Sequence, residues 1–357
     1  MSLKMSIDYG RSTTKAVSEK DKEGIIFPSW YAKDAVDPNI SPTDLVGEYD
    51  RLDYLKVKIN DQEFNVGKLS KKANYCFDGS SDTDIFPDNY EKDKLTKAEV
   101  NILTASALLT DESEQAIDLL TTLPANQFKD IYIKQFKKRL EGETFKVNVY
   151  DYEQDKYIDK RIYINSLQIK QQGFCALMHH LLTDDGYINA ENNHLVDESV
   201  LIFDIGRYST DLVYIDNMEE IVLENPDIRI KGMDDVFSQI RAEFENKHGF
   251  PLNKDKVEDY AKDGKVPIDG NKEDITEIIN KCYESFATQI AEQAKNKVPS
   301  TLRNIENFLI CGGGCEPIND KLQSALKKKL QPIDQPRMAN AIGGIKMMKL
   351  NDNLEGE

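Results

Sequence analysis

Long hydrophobic runs are missing from this 357-residue chain: its apolar stretches, Val200–Phe203 among them, are a few residues long, where a membrane span needs about 18. Cysteine is scarce. Cys76, Cys175, Cys282, Cys311 and Cys315 are odd in number and sit mostly inside apolar segments, and the close pair Cys311 and Cys315 has no second pair to complete a zinc site. No hydrophobic leader precedes the strand-like sequence that begins at Met5, so reduced thiols in a cytosolic protein are expected. Positive charge is in deficit. The 46 Lys and Arg face 63 Asp and Glu, and the net charge of −17 repels phosphates and disfavours direct DNA binding. Neither G-x-G-x-x-G nor G-x-x-x-x-G-K-[ST] occurs, so the dinucleotide fingerprint and the P-loop are both missing.

What is there suits a folded, soluble protein. Hydrophobic residues make up 39% and charged ones 31%, and at roughly 150 residues per domain the length allows two or three domains with real cores. Residues 5–17 alternate and are rich in β-branched side chains, interrupted by Asp8-Tyr9-Gly10-Arg11-Ser12, which reads as two strands joined by a tight turn. Further strands are expected at Leu55–Ile59, Phe64–Val66, Ile117–Leu123, Phe145–Val149 and Ile162–Ile169. Thr96 and Glu99 form a capping box that opens a helix ending near Leu109, and Phe128, Ile131, Tyr132, Phe136 and Leu140 recur at helical steps. Phe174–Leu182 is a further helix. Ser199–Phe203 and Leu212–Ile215 then repeat the opening scheme of strand, Asp-x-Gly turn and strand. Residues 233–297 are mainly helical, Asn307–Cys311 is a strand entering three glycines, and Arg337–Lys349 is a closing helix. The polar stretches Asp78–Asp93 and Lys254–Asp274 read as exposed loops.

Asp8-Tyr9-Gly10 and Asp204-Ile205-Gly206 hold the same place in two α/β units, a coarse duplication that implies two similar domains facing one another. In the first turn Gly10 lets backbone N–H groups converge on an anion, while Ser12, Thr13 and Thr14 add hydroxyls. Lys15 can set a point charge on a phosphate, and Asp8 supplies the carboxylate that magnesium prefers. In the second turn Asp204, Gly206, Ser209 and Thr210 repeat the pattern. One such turn is also what a plain hairpin shows; two, one in each half, describe a clamp on a polyphosphate and its metal. Gly312, Gly313 and Gly314 follow a buried strand and allow a flat ring or a phosphate to approach the backbone closely. His179 and His180 are adjacent and point to different helix faces, so they cannot pair as ligands.

These elements, in this order, resemble the ATPase superfamily of actin, Hsp70 and the sugar kinases. Asp8–Lys15 is similar to its first phosphate motif, Asp204–Asp211 to its second and Leu309–Cys315 to its adenosine motif. Leu167–Phe174 and Met338–Gly343 resemble its two connecting motifs. Within the superfamily the likeness is greatest to the bacterial plasmid-segregating actins of ParM type, through Val66–Leu69, Leu119–Pro124 and a length near a bare two-domain core. Arg207-Tyr208 departs from the small residue usual in the second phosphate motif.

The resemblance implies an α/β, actin-like (ribonuclease H-like) two-domain fold with a nucleotide in the interdomain cleft. Domain I is expected at 1–165 plus 335–357, with a small subdomain at about 31–94 that Trp30 anchors; domain II is expected at 166–334, with an outer subdomain at about 220–300. The implied cofactors are ATP, with GTP not separated from it, and Mg²⁺. Asp8 and Asp204 would position metal and water, Lys15 would neutralise phosphate charge, Gln172 would orient the attacking water, and Gly312–Gly314 would seat the adenosine. The resemblance further implies a homopolymer that segregates plasmid DNA in a bacterial cytoplasm through a DNA-bound adaptor protein, with no direct DNA or membrane contact. A monomeric sugar-type kinase and a nucleotide-switched scaffold on the same fold are the alternatives.

Overall fold

Two main sheets, one in each half, organise the described residues. The computed structural model describes residues 2–33, 51–71, 95–221, 223, 230–298 and 302–355; Cys76 and the expected loop Asp78–Asp93 lie outside them. The chain divides into two units, Met1–Ala190 with Met338–Glu357, and Glu191–Arg337.

In unit 1 the alternating sequence forms β1 (Leu3–Tyr9) and β2 (Thr13–Ser18), followed by β3 (Ile25–Pro28), β4 (Tyr31–Lys33), β5 (Tyr54–Ile59), β6 (Gln62–Gly67) and the short helix α1 (Lys68–Lys71). After them come α2 (Lys97–Leu108), β7 (Glu114–Leu123), α3 (Asp130–Leu140), β8 (Thr144–Asp151), β9 (Lys156–Gln171) and α4 (Phe174–Leu181). The nine strands make one sheet in the order β3-β2-β1-β7-β9-β8-β5-β6-β4. The small-subdomain strands therefore continue the main sheet rather than forming one of their own: β9 pairs with β8, and β8 in turn with β5. β3 and β4 were not legible in the sequence; each is short and pairs along one neighbour only. The capping box is present, with Thr96 Oγ1 accepting from Glu99 N–H at 3.2 Å and Glu99 Oε2 accepting from Thr96 N–H at 2.7 Å. Arg139 of α3 donates to that same carboxylate, 2.7 Å from Nη2 to Oε2, and ties α3 to the start of α2. Ile131 lies off the buried face of α3, 61% exposed.

Unit 2 repeats the opening. It contains β10 (Val200–Ile205), β11 (Thr210–Asp216), β12 (Glu219–Ile221), α5 (Met233–His248), α6 (Val257–Asp263), β13 (Lys265–Ile268), β14 (Asn271–Asp274), α7 (Thr276–Lys297), β15 (Asn307–Cys311), α8 (Cys315–Leu326) and β16 (Gln331–Pro332). Its main sheet runs β12-β11-β10-β15-β16. In both units an antiparallel hairpin is flanked by a parallel third strand, β7 against β1 and β15 against β10. The register matches too: Asp8 stands opposite Lys15, and Asp204 opposite Asp211. The stretch Lys254–Asp274, expected as a loop, is instead a helix and a hairpin. Val257, Ala261 and Val266 anchor it in the core, and Asp269-Gly270, both at positive φ, forms its two-residue turn.

The last helix, α9 (Ala339–Glu355), returns to unit 1. The expected boundary at 165/166 falls within β9, which pairs with β7 up to Gln171; α4 then packs on α9, so unit 1 continues to Ala190. Two glycines set that packing. A Cβ on Gly343 would stand 1.7 Å from the Cys175 carbonyl oxygen of α4, and one on Gly344 would stand 2.1 Å from Ser6 Oγ of β1. Cys175, Cys282, Cys311 and Cys315 are free and buried, and burial pushes the Cys175 thiol up, as expected of unreactive core thiols. Among the described residues no helix is long and apolar enough to cross a membrane. Gly343→Ala is expected to destabilise unit 1 by about 3 kcal/mol, because the added methyl meets backbone rather than a flexible side chain. A drop in the urea midpoint measures this; an unchanged midpoint would show that α9 can move away from α4 at little cost.

Candidate functional site

In unit 1 the candidate residues gather on one carboxylate. Asp8, at the end of β1, is 1% exposed, and a charge so buried needs partners on its oxygens. Lys15 Nζ donates to Oδ2 at 2.9 Å, while Thr122 Oγ1 and Gln172 Nε2 donate to Oδ1 at 2.6 and 2.8 Å. Those donors come from β2, from the end of β7 and from the residue after β9, so three neighbouring strands converge on Asp8. Gln172 Nε2 also reaches the Tyr9 carbonyl at 3.4 Å, which engages both its hydrogens and leaves Oε1 as the group it can offer to water. Gly173, at φ 82°, follows directly, and its N–H donates to Asn340 Oδ1 of α9 at 2.8 Å.

The first turn does not use all the residues assigned to it in the way their types suggest. Gly10 N–H closes the turn on the Thr13 carbonyl at 3.1 Å, and a Cβ at Gly10 would crowd that oxygen at 2.7 Å. Glycine is therefore required there by the turn itself. Ser12 and Thr13 are half-buried at its rim. Thr14 is a correction: it is fully buried and shares a hydrogen bond with Ser29 Oγ at 2.8 Å, because its position in β2 turns its side chain inward. Thr210 of β11 is buried in the same way and donates to the Lys231 carbonyl at 2.8 Å.

Unit 2 holds the second set. Asp204 is 9% exposed near the end of β10. Gly206 N–H closes the turn on the Ser209 carbonyl at 2.9 Å, as Gly10 does in unit 1. The three glycines after β15 divide their roles. Gly312, at φ 88°, lies so near Asp204 that a Cβ would stand 2.4 Å from Oδ1. Gly314 is buried against Met233 and Ile205, and its N–H donates to the Ile205 carbonyl at 2.9 Å. Gly313 is exposed, and a Cβ there would meet nothing nearer than Arg337 Cγ at 3.8 Å. Only the middle glycine thus presents open backbone.

Residues 6–174 match the family model described as the N-terminal domain of actin-like proteins, and residues 202–324 match that of the archaeal actin homologue MreB-like, C-terminal. Each half of the chain thus matches an actin-family model, and the fold is actin-like. Its fold is similar to that of a ParM in a 15-stranded filament from Clostridium botulinum, with TM-score 0.72, 21% identity, and 98% of this chain and 99% of the other covered. An archaeal actin homologue in complex with ADP gives TM-score 0.70 at 18% identity over 99% and 100% of the two chains, and the actin-like protein Alp7A gives 0.71 at 17% over 100% and 98%. No curated protein matches the sequence significantly.

The oxygen donors of this actin-like chain suit a hard cation held largely through water. Among the described residues no group of three or more His, Cys, Asp or Glu could hold a metal by itself. Mg²⁺ does not need one, since it takes one or two carboxylates and keeps its waters. Asp8 already accepts protein hydrogen bonds on both oxygens, which suits water-mediated contact. Asp204 has Asp211 directly across the strand pair, where Asp8 has Lys15. Thr122 and Asn340 are contributors that sequence reasoning quoted inside motifs without assigning a role; a threonine hydroxyl at the end of a buried strand was the available signal.

The first two positions of the glycine triplet in this actin-like chain are expected to respond differently to a methyl. Gly312→Ala should lower stability by about 2 kcal/mol or more through its positive φ and the collision with Asp204. Gly313→Ala should fall within about 0.5 kcal/mol of the parent. Thermal unfolding of the two variants compares them directly, and equal melting points would contradict the close packing described for Gly312.

Proposed function

We propose that this chain is a Mg²⁺-dependent ATPase that assembles with itself into filaments, and that those filaments move plasmid DNA through a DNA-bound adaptor. The observation that carries the reading is the repeated turn: in each unit a buried strand ends in Asp-x-Gly at matching register, and the unit 1 carboxylate holds Gln172 by its amide nitrogen. Asp8 and Asp204 would hold the metal, mostly through its waters. When bound, Mg²⁺ supplies charge neutralisation on the phosphates. Lys15 is placed to shift from Asp8 toward phosphate oxygens, and the rim hydroxyls of Ser12, Thr13 and Ser209 are the nearby polar groups for them. Gln172 cannot take a proton at neutral pH, but its Oε1 can accept a hydrogen bond from water and aim it for in-line attack. Gly313 gives the adenosine a stretch of open backbone. The ADP held by the archaeal actin homologue and the filament formed by the clostridial ParM support extending these properties to this chain. The net charge of −17 supports an adaptor, because the chain offers DNA no excess of positive charge.

Phosphate release and light scattering, recorded together after Mg-ATP is added to the purified chain, test the reading. Both signals should rise; no phosphate release would remove the ATPase assignment, and hydrolysis without scattering would remove the filament. Gln172→Ala should slow hydrolysis on the order of a hundredfold while leaving nucleotide affinity near that of the parent. Loss of binding in that variant would make Gln172 a structural support for Asp8 instead.

Assembly should also depend on salt in a definite direction. Each added subunit brings its net charge of −17 near its neighbours. The screening length falls from about 30 Å at 0.01 M salt to about 8 Å at 0.15 M, so self-repulsion is summed over less of each subunit as salt rises. The critical concentration is therefore expected to fall across that range with Mg-ATP held fixed. A pelleting series with more polymer at low salt would show that ion pairs across the interface outweigh the net repulsion.

A further inference from the structure

The guanidinium of Arg207 is not used by the site described so far. It leaves the second turn of unit 2 and reaches two helices. Nη1 donates to Glu258 Oε2 of α6 at 2.7 Å, and Nη2 lies 3.5 Å from Asp234 Oδ1 in the first turn of α5. The guanidinium carbon is 5.8 Å from the ring centre of Phe237 and 5.9 Å from that of Tyr208. Lys262 donates to the other Glu258 oxygen at 2.9 Å. Burial works against the charge on Arg207, yet Glu258, Tyr208 and Asp234 outweigh it and hold its pKa above the ordinary value. Burial likewise opposes the charge on Glu258, and Lys262 and Arg207 outweigh it and hold that carboxyl below its ordinary range. Both members of the pair stay ionised and committed to each other.

The backbone of the turn is tied to the same place. Met233 N–H donates to the Gly206 carbonyl at 3.1 Å and Asp234 N–H to the Arg207 carbonyl at 2.8 Å. Gly232, at the start of α5, packs so closely that a Cβ would stand 2.5 Å from both the Arg207 carbonyl oxygen and the Ser209 nitrogen. The shape of the turn is thus set by α5 through backbone contacts and by α6 through one side chain. This accounts for the bulky Arg207 at a position that is small in the family pattern: its side chain points to the helices and leaves the turn clear.

We propose that Arg207 is the positioning residue of the second turn, holding residues 206–209 in their anion-receiving shape through Glu258, so that the affinity of the chain for nucleotide phosphate depends on α6. The inference rests on the nucleotide reading above. Coupling of this kind is reciprocal: nucleotide at the turn strengthens the tie to α6, and displacement of α6 loosens nucleotide.

The test is the Kd of fluorescent N-methylanthraniloyl-ATP with Mg²⁺, measured well below the melting temperature of each protein. The set is the parent, Arg207→Ala, Arg207→Lys, Glu258→Ala and the double variant Arg207→Ala with Glu258→Ala. Each alanine single variant should raise Kd roughly tenfold, and the double variant should be no worse than either, because both remove one tie. Arg207→Lys, which keeps a charge for Glu258, should recover part of the loss. If Arg207 touches the phosphate itself, Arg207→Ala will weaken binding while Glu258→Ala, which frees the guanidinium, leaves Kd unchanged or lowers it. That pattern overturns the positioning role. Parent-like Kd in every variant overturns it too, with the nucleotide reading intact, and a parent that binds no nucleotide removes both. Should Arg207→Ala fail to fold, Glu258→Ala and Arg207→Lys carry the comparison.

Discussion

A carboxylate that is 1% exposed is unfavourable unless its oxygens are satisfied, and in unit 1 that requirement draws several elements to one point. Asp8 takes donors from Lys15, Thr122 and Gln172, which belong to the return strand of the hairpin, the end of the parallel neighbour and the crossover into α4. Each donor is long-range or crosses a strand pair, so the network exists only when the sheet order is correct. The same bonds that satisfy the charge also fix the Gln172 amide and the Lys15 ammonium in place. Stability and site geometry are one arrangement here.

The duplicated hairpin shows how one backbone plan carries two electrostatic environments. At matching register Asp8 faces Lys15 and Asp204 faces Asp211. The first turn is internally neutralised and rigidly bonded. The second sets two carboxylates at facing positions and is steadied from outside, by the start of α5 and by the pair of Arg207 with Glu258. The difference between the halves thus follows from single residues placed on a common frame.

The return of α9 to unit 1 supplies the remaining constraint. Two glycines in the middle of a helix lower its intrinsic stability by about 1 kcal/mol each, and close approach offsets that cost. Gly343 lets α4 come within backbone contact, Gly344 lets the helix settle on β1, and Asn340 accepts from Gly173 N–H beside Gln172. The backbone beside Gln172 is therefore held by a segment that lies at the far end of the chain.

The sequence by itself determined the local elements and their chemistry: the Asp-x-Gly turns, the capping box at Thr96 and the buried strands announce themselves through short-range pattern. One local signal, Asp269-Gly270 between two strands, was also present and was masked by the charge around it. Only the tertiary structure decided which polar groups point where. Thr14 and Thr210 turn inward, only Gly313 of the triplet stays open, Gln172 hangs from Asp8 across 164 residues, and Arg207 leaves its turn for Glu258 across 51. The physical reason is that periodicity and turn preference act over a few neighbours, whereas the satisfaction of a buried charge depends on whatever donors the folded sheet brings within 3 Å.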